Sequence, residues 1–145
     1  MTDAIAQARR LCARRGVRLT PRREAVLRLI LDSERPLSAY EILERLPATP
    51  RRPAPPTVYR ALDFLLEQGL VHRLESLHAF VACHHPGRPH AGQFLICTDC
   101  GRVSELCEGR IEHSLREAVH ASGFHTRRPV VELLGTCADC HHGGD

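Results

Sequence analysis

Cys97-Thr98-Asp99-Cys100-Gly101 and Cys137-Ala138-Asp139-Cys140 place two thiol pairs of the same spacing in the second half of a 145-residue chain. Two cysteines with two residues between them can turn both sulfurs toward one ion, and four sulfurs complete a tetrahedral zinc site. The chain between the pairs then closes into a loop of about 36 residues. A loop of that length must hold structure of its own rather than hang from the metal. Buried reduced thiols and disulfides are the competing readings, but a pair of CxxC knuckles is a specific zinc pattern. A redox dithiol needs the start of a helix that follows a strand, and neither pair is expected to sit at one.

Outward from the knuckles, the length allows one ordinary domain or two small ones. A small C-terminal half gains folding free energy directly from bound metal. No apolar run reaches the length of a membrane span, and Met1 to Ala8 lacks a hydrophobic signal core, so a soluble, cytoplasmic protein is expected. The net charge of +3 hides a division: residues 1 to 60 carry 13 Arg against 6 acidic residues, and residues 61 to 145 carry 7 Arg against 11. That asymmetry points to an N-terminal half facing a polyanion and a C-terminal half with another task. Every basic residue is Arg, which reflects composition as much as phosphate recognition.

Along the chain, Ala4, Ile5, Ala8, Leu11 and Cys12 fall on one side of a helix that Gly16 ends. Thr20-Pro21 starts a second helix, with Val26, Leu29 and Ile30 as its buried stripe and Arg22, Arg23 and Arg28 left for solvent or phosphate. Ser38 and Glu41 make a capping box, with Leu37 and Ile42 as a staple, for a third helix that ends by Pro47. Five prolines and two arginines from Pro47 to Pro56 predict an extended connection. From Thr57 a fourth helix buries Val58, Ala61, Leu62 and Leu65, ends at Gly69, and shows Thr57, Tyr59 and Arg60 on its outer side. A first turn with a hydroxyl, an aromatic ring and a guanidinium is what a recognition helix presents to DNA; a plain solvated surface is the alternative.

Leu70 to Glu75 and Leu77 to Ala82 read as a hairpin, which completes a winged helix. The hinge is placed near 79 to 84, dividing residues 1–82 from 83–145. The remainder reads as strand (Gln93 to Ile96), knuckle, strand (Arg102 to Leu106), helix (Ile111, Leu115, Ala118, Val119), strand (Pro129 to Leu134) and second knuckle. The fold class is therefore α+β: an N-terminal winged helix-turn-helix domain followed by a small α/β domain stapled by four cysteines. The tail with His141 and His142 is expected to be disordered.

His72, Cys83, His90 and Glu105 are donors from the wing, the hinge, the loop and the strand after the first knuckle. None forms a tight motif with another, and single residues of these types are commonly surface or core groups. The density of imidazole and thiol around the hinge nevertheless suits zinc at neutral pH.

Taken together, Val17-Arg18-Leu19-Thr20-Pro21-Arg22-Arg23, Ser38-Ala39-Tyr40-Glu41-Ile42-Leu43, Pro56-Thr57-Val58-Tyr59-Arg60-Ala61-Leu62, Phe94-Leu95-Ile96-Cys97-Thr98-Asp99-Cys100-Gly101 and the second knuckle resemble the Fur superfamily of metal-responsive repressors. Gly69-Leu70-Val71-His72-Arg73-Leu74-Glu75-Ser76 and Phe80-Val81-Ala82-Cys83-His84 are similar to its zinc uptake regulator branch, Zur. The resemblance implies a homodimer with N-terminal winged helices and C-terminal dimerisation domains, binding double-stranded operator DNA. It implies two Zn2+ per subunit: a structural ion on Cys97, Cys100, Cys137 and Cys140, and a regulatory ion on His72, Cys83, His90 and Glu105. It also places Tyr40, Thr57, Tyr59 and Arg60 at the DNA. The implied function is repression of zinc uptake genes by the zinc-loaded dimer, with sensing of iron, manganese or peroxide as the alternative within the family. An enzyme is not expected: the deaminase signature, nucleophile elbow and phosphate-binding Gly loop are all absent, and no small-molecule substrate or membrane is implied. A zinc-stapled interaction domain with no DNA role is the third class.

Overall fold

The structure, a computed structural model, describes residues 2–48, 53–87 and 92–143. The chain divides into two compact units, Met1–Pro89 and His90–Asp145.

The first unit opens with α1 (Thr2–Arg14), whose Ile5, Ala8, Leu11 and Cys12 are buried at the expected helical spacing. Gly16 ends it in the left-handed region, φ +72°, where a Cβ would be strained. In α2 (Pro21–Asp32), Thr20 Oγ1 accepts from the Arg23 N–H at 3.3 Å and caps the helix. Its stripe is Val26, Leu27 and Ile30; Leu29, expected there, is only half-buried. Arg23 and Arg28 are likewise engaged rather than left for phosphate. The Arg23 guanidinium lies 3.8 Å from the Phe64 ring centre and donates to the Arg18 carbonyl, and Arg28 pairs with Glu24. α3 (Ala39–Arg45) carries the full capping box: the Glu41 N–H donates to Ser38 Oγ at 3.1 Å, and the Ser38 N–H donates to Glu41 Oε1 at 3.0 Å.

α4 spans Pro55–Glu67, two residues earlier than the sequence indicates. The first helical amides have no intrahelical acceptor, so prolines in the first turn sacrifice nothing and pre-set φ. Val58, Ala61, Leu62 and Leu65 pack inward as expected, and Gly69 terminates the helix at φ +71°. β1 (Val71–Leu74) and β2 (Ala79–Ala82) pair antiparallel, Val71 opposite Ala82, with His78 at φ +50° in the turn. Leu37 bridges Phe80 beside them through two backbone hydrogen bonds of 3.1 and 2.8 Å. Helices and hairpin share one apolar core, so the unit is a winged helix.

The second unit is built on β3 (Gln93–Cys97), which pairs antiparallel with β4 (Val103–Glu105) and parallel with β5 (Val131–Gly135). A parallel pair requires a crossover, and α5 (Gly109–Ala121) supplies it. Phe94 and Ile96 of β3 are buried, whereas α5 buries no side chain. The chain after the second knuckle is not an irregular tail: α6 runs Ala138–Gly143.

Candidate metal centre and nucleic-acid surface

The parallel pairing of β3 with β5 brings the knuckles together. Cys97 ends β3 opposite Gly135, the last residue of β5, so both thiol pairs emerge at the same end of the sheet. The first knuckle folds back on itself: the Cys97 N–H donates to the Arg102 carbonyl and the Gly101 N–H to the Cys97 carbonyl, each at 2.9 Å. Gly101 takes φ +80° to allow it. The Thr98 N–H reaches the Gly135 carbonyl at 2.8 Å, locking the knuckle to the strand that leads into the other.

All seven cysteines are free thiols. The four sulfurs of Cys97, Cys100, Cys137 and Cys140 lie within 4.8 Å of one another. Cys100 Sγ and Cys137 Sγ are 3.8 Å apart. A tetrahedron with zinc–sulfur bonds of about 2.3 Å has edges of about 3.8 Å, whereas a disulfide would bring sulfurs to about 2.05 Å. The donor set and its spacing therefore fit a zinc ion. The second pair does stand where a strand leads into a helix, contrary to the sequence expectation; its Cys137 nevertheless faces Cys100 of the other knuckle rather than serving as an isolated dithiol.

N–H groups of Cys137 and Cys100 donate to Cys97 Sγ at 3.3 and 3.5 Å and pull its thiol down to about 6. Cys140 is pushed up to about 12 by hydrogen bonding with Cys137, then Cys100 and Cys97. Four thiolates cannot ionise side by side without a cation, which a divalent metal supplies.

His72 and Cys83 come together within the first unit. His72 sits in β1 opposite Val81, and the buried Cys83 follows β2, its N–H donating to the Leu70 carbonyl at 3.0 Å. Their ligand atoms lie within 4.8 Å of each other. The His85 N–H donates to Cys83 Sγ at 3.4 Å. Glu105 ends β4 in the other unit, and His90 lies outside the described residues.

On the first unit, Tyr40 in the first turn of α3 is 66% exposed and Tyr59 on α4 is 56% exposed. Arg60 is exposed beside it and Thr57 half-buried. Both rings are exposed in the part of the chain where Arg outnumbers acidic residues 13 to 6, a setting apt for a polyanion.

The model of the ferric uptake regulator family matches residues 14–134. The chain belongs to the ferric uptake regulator family. It is 45% identical over 139 residues to the zinc uptake regulation protein of Escherichia coli strain K12, covering 95% of this chain and 81% of that relative. It superimposes on a solved zinc uptake regulator complexed with zinc and DNA with a TM-score of 0.91, at 43% identity, over 99% of this chain and 96% of that one. The crystal structure of holo XcZur gives 0.89 at 44% identity, over 98% and 99%. The zinc uptake branch indicated by the motifs is where these relatives fall.

Against that family frame, one contact was missed from the sequence. Arg102 Nη1 donates to Asp139 Oδ2 at 2.9 Å, joining the two knuckles. The signal was present: one knuckle is followed at once by a cation, and the other encloses an anion.

Proposed function

We propose that this protein is a zinc-responsive transcriptional repressor that binds operator DNA as a zinc-loaded homodimer and represses zinc uptake genes. The observation that carries the reading is its likeness, over nearly the whole chain, to a regulator solved with zinc and DNA. Each subunit takes two zinc ions. Cys97, Cys100, Cys137 and Cys140 hold the structural one, and His72, Cys83, His90 and Glu105 the regulatory one. A thiolate with two imidazoles and one carboxylate is a softer set than iron or manganese favours.

Bound zinc supplies a positive centre that all donors of a site can share; the rest is done by the chain. At the structural site the knuckle hydrogen bonds hold the Cys97 sulfur ready to ionise. At the regulatory site the wing fixes His72 and Cys83 as a pair, while His90 and Glu105 come from the second unit. Ligands divided over a hinge couple its freedom to occupancy, so metal selects one conformer from a mobile set. A linkage of about 1–3 kcal/mol between metal and DNA changes affinity roughly 5- to 150-fold. Tyr40, Thr57, Tyr59 and Arg60 make the DNA contacts, with α4 in the major groove.

The homodimer reading is supported by the second unit's uncovered apolar side chains. Phe124, Val130, Leu133 and Leu134 are all exposed, α5 buries nothing, and the buried Gln93 Oε1 has no hydrogen-bond partner among the described residues. Binding to promoter fragments of zinc uptake genes, measured with zinc and with a zinc chelator, tests the function. Retardation only with zinc is expected, and equal retardation in the chelator would contradict it.

A further inference from the structure

The ion pair between the knuckles does more than decorate the surface. Arg102 follows the first knuckle and is held by it, since the Arg102 carbonyl accepts from the Cys97 N–H at 2.9 Å. Its guanidinium reaches Asp139, which lies between the two cysteines of the second knuckle, at 2.9 Å. In sequence the partners are 37 residues apart, as are Cys100 and Cys137. Four thiolates around one Zn2+ leave the centre with a net charge of about −2, and the Asp139 carboxylate adds another negative charge at its rim. A cation at this place offsets both.

We propose that Arg102 is the counter-cation and clasp of the four-sulfur centre, holding the second knuckle against the first and slowing the loss of zinc to competing ligands. The proposal rests on zinc occupying those four sulfurs. Loss of the ion would require the sulfurs of the second knuckle to swing away from those of the first. The clasp opposes that swing for Cys137 and Cys140, while the guanidinium charge opposes the repulsion that starts it. Both side chains of the pair are well exposed, 58% and 76%, so solvent and salt weaken the effect and the expected change is modest.

The test is transfer of zinc from the loaded full-length protein to excess 4-(2-pyridylazo)resorcinol, at low and at high salt. The four-sulfur zinc is identified as the ion retained by Cys83→Ser, which lacks a ligand of the other site. If Cys140→Ser removes no zinc, the underlying site reading fails, separately from the clasp. With the ion identified, Arg102→Gln is expected to release it about 2- to 5-fold faster than wild type at low salt, with the difference shrinking at high salt. The exchanged pair Arg102→Asp with Asp139→Arg should return the rate toward wild type. Equal rates for wild type and Arg102→Gln at low salt would overturn the proposal, and so would an acceleration indifferent to salt and to the exchange.

Discussion

A sulfur 3.8 Å from its neighbour is too far away for a disulfide and matches the edge of a tetrahedron of thiolates around one zinc ion. Each of the four cysteines therefore carries a whole site, because three donors leave an open position. Cys140→Ser should unfold the second unit and take both zinc ions from the chain, because His90 and Glu105 belong to that unit, read by metal analysis and circular dichroism; structural zinc contributes on the order of 10 kcal/mol to folding. Arg60 works at the opposite end of the same scale. An exposed guanidinium on α4 costs nothing to the fold when removed, so Arg60→Ala should leave thermal unfolding unchanged. Operator affinity should fall by about 1–3 kcal/mol, measured by fluorescence anisotropy; a silent substitution would favour the interaction domain without a DNA role.

Elements report how local chemistry fixes structure. The Glu41 carboxylate accepts the Ser38 N–H, which holds its carboxyl below the usual carboxylate value. A folded value below the unfolded one of about 4.3 means that the capping box stabilises α3 at neutral pH and loses that contribution as acid protonates Glu41. Urea unfolding should show Glu41→Gln less stable than wild type at pH 7, with the gap closing below about pH 4. Ser38→Ala should cost about 1 kcal/mol at neutral pH. This box, the Thr20 cap and the Gly16 and Gly69 stops were legible because each is settled by residues within one turn. The start of α4 was not: Pro55 and Pro56 are breakers in a helix interior and starters in its first turn, and only the fold says which. Leu27 replacing Leu29 in the stripe of α2 has the same cause, since propensity and spacing admit both and packing chooses. Arg23 turned from solvent to Phe64 for a reason no local pattern holds, a ring 41 residues further along.

At the scale of the molecule, the four-sulfur site was legible because CxxC spacing is a local motif repeated, and the parallel β3–β5 pairing merely delivers the two copies to one end of the sheet. His72 and Cys83 were legible as members of one site only through the family resemblance, because strand register, not sequence spacing, brings the two residues together. The uncovered side chains of the second unit went unread for a related reason: period alone does not say whether an apolar face meets its own chain or another. Leu133, 60% exposed on β5, is the place to ask. Leu133→Glu should convert a dimer to a monomer by light scattering while zinc content is retained.

In the proposed repressor one zinc builds the fold and a second licenses DNA binding. Operator binding at buffered free zinc, followed by anisotropy for wild type and Cys83→Ser side by side, decides it. Wild type should bind steeply as free zinc rises, and Cys83→Ser, keeping its four-sulfur zinc, should bind weakly and without response. A Cys83→Ser protein that binds operator in the same zinc range as wild type would contradict the account.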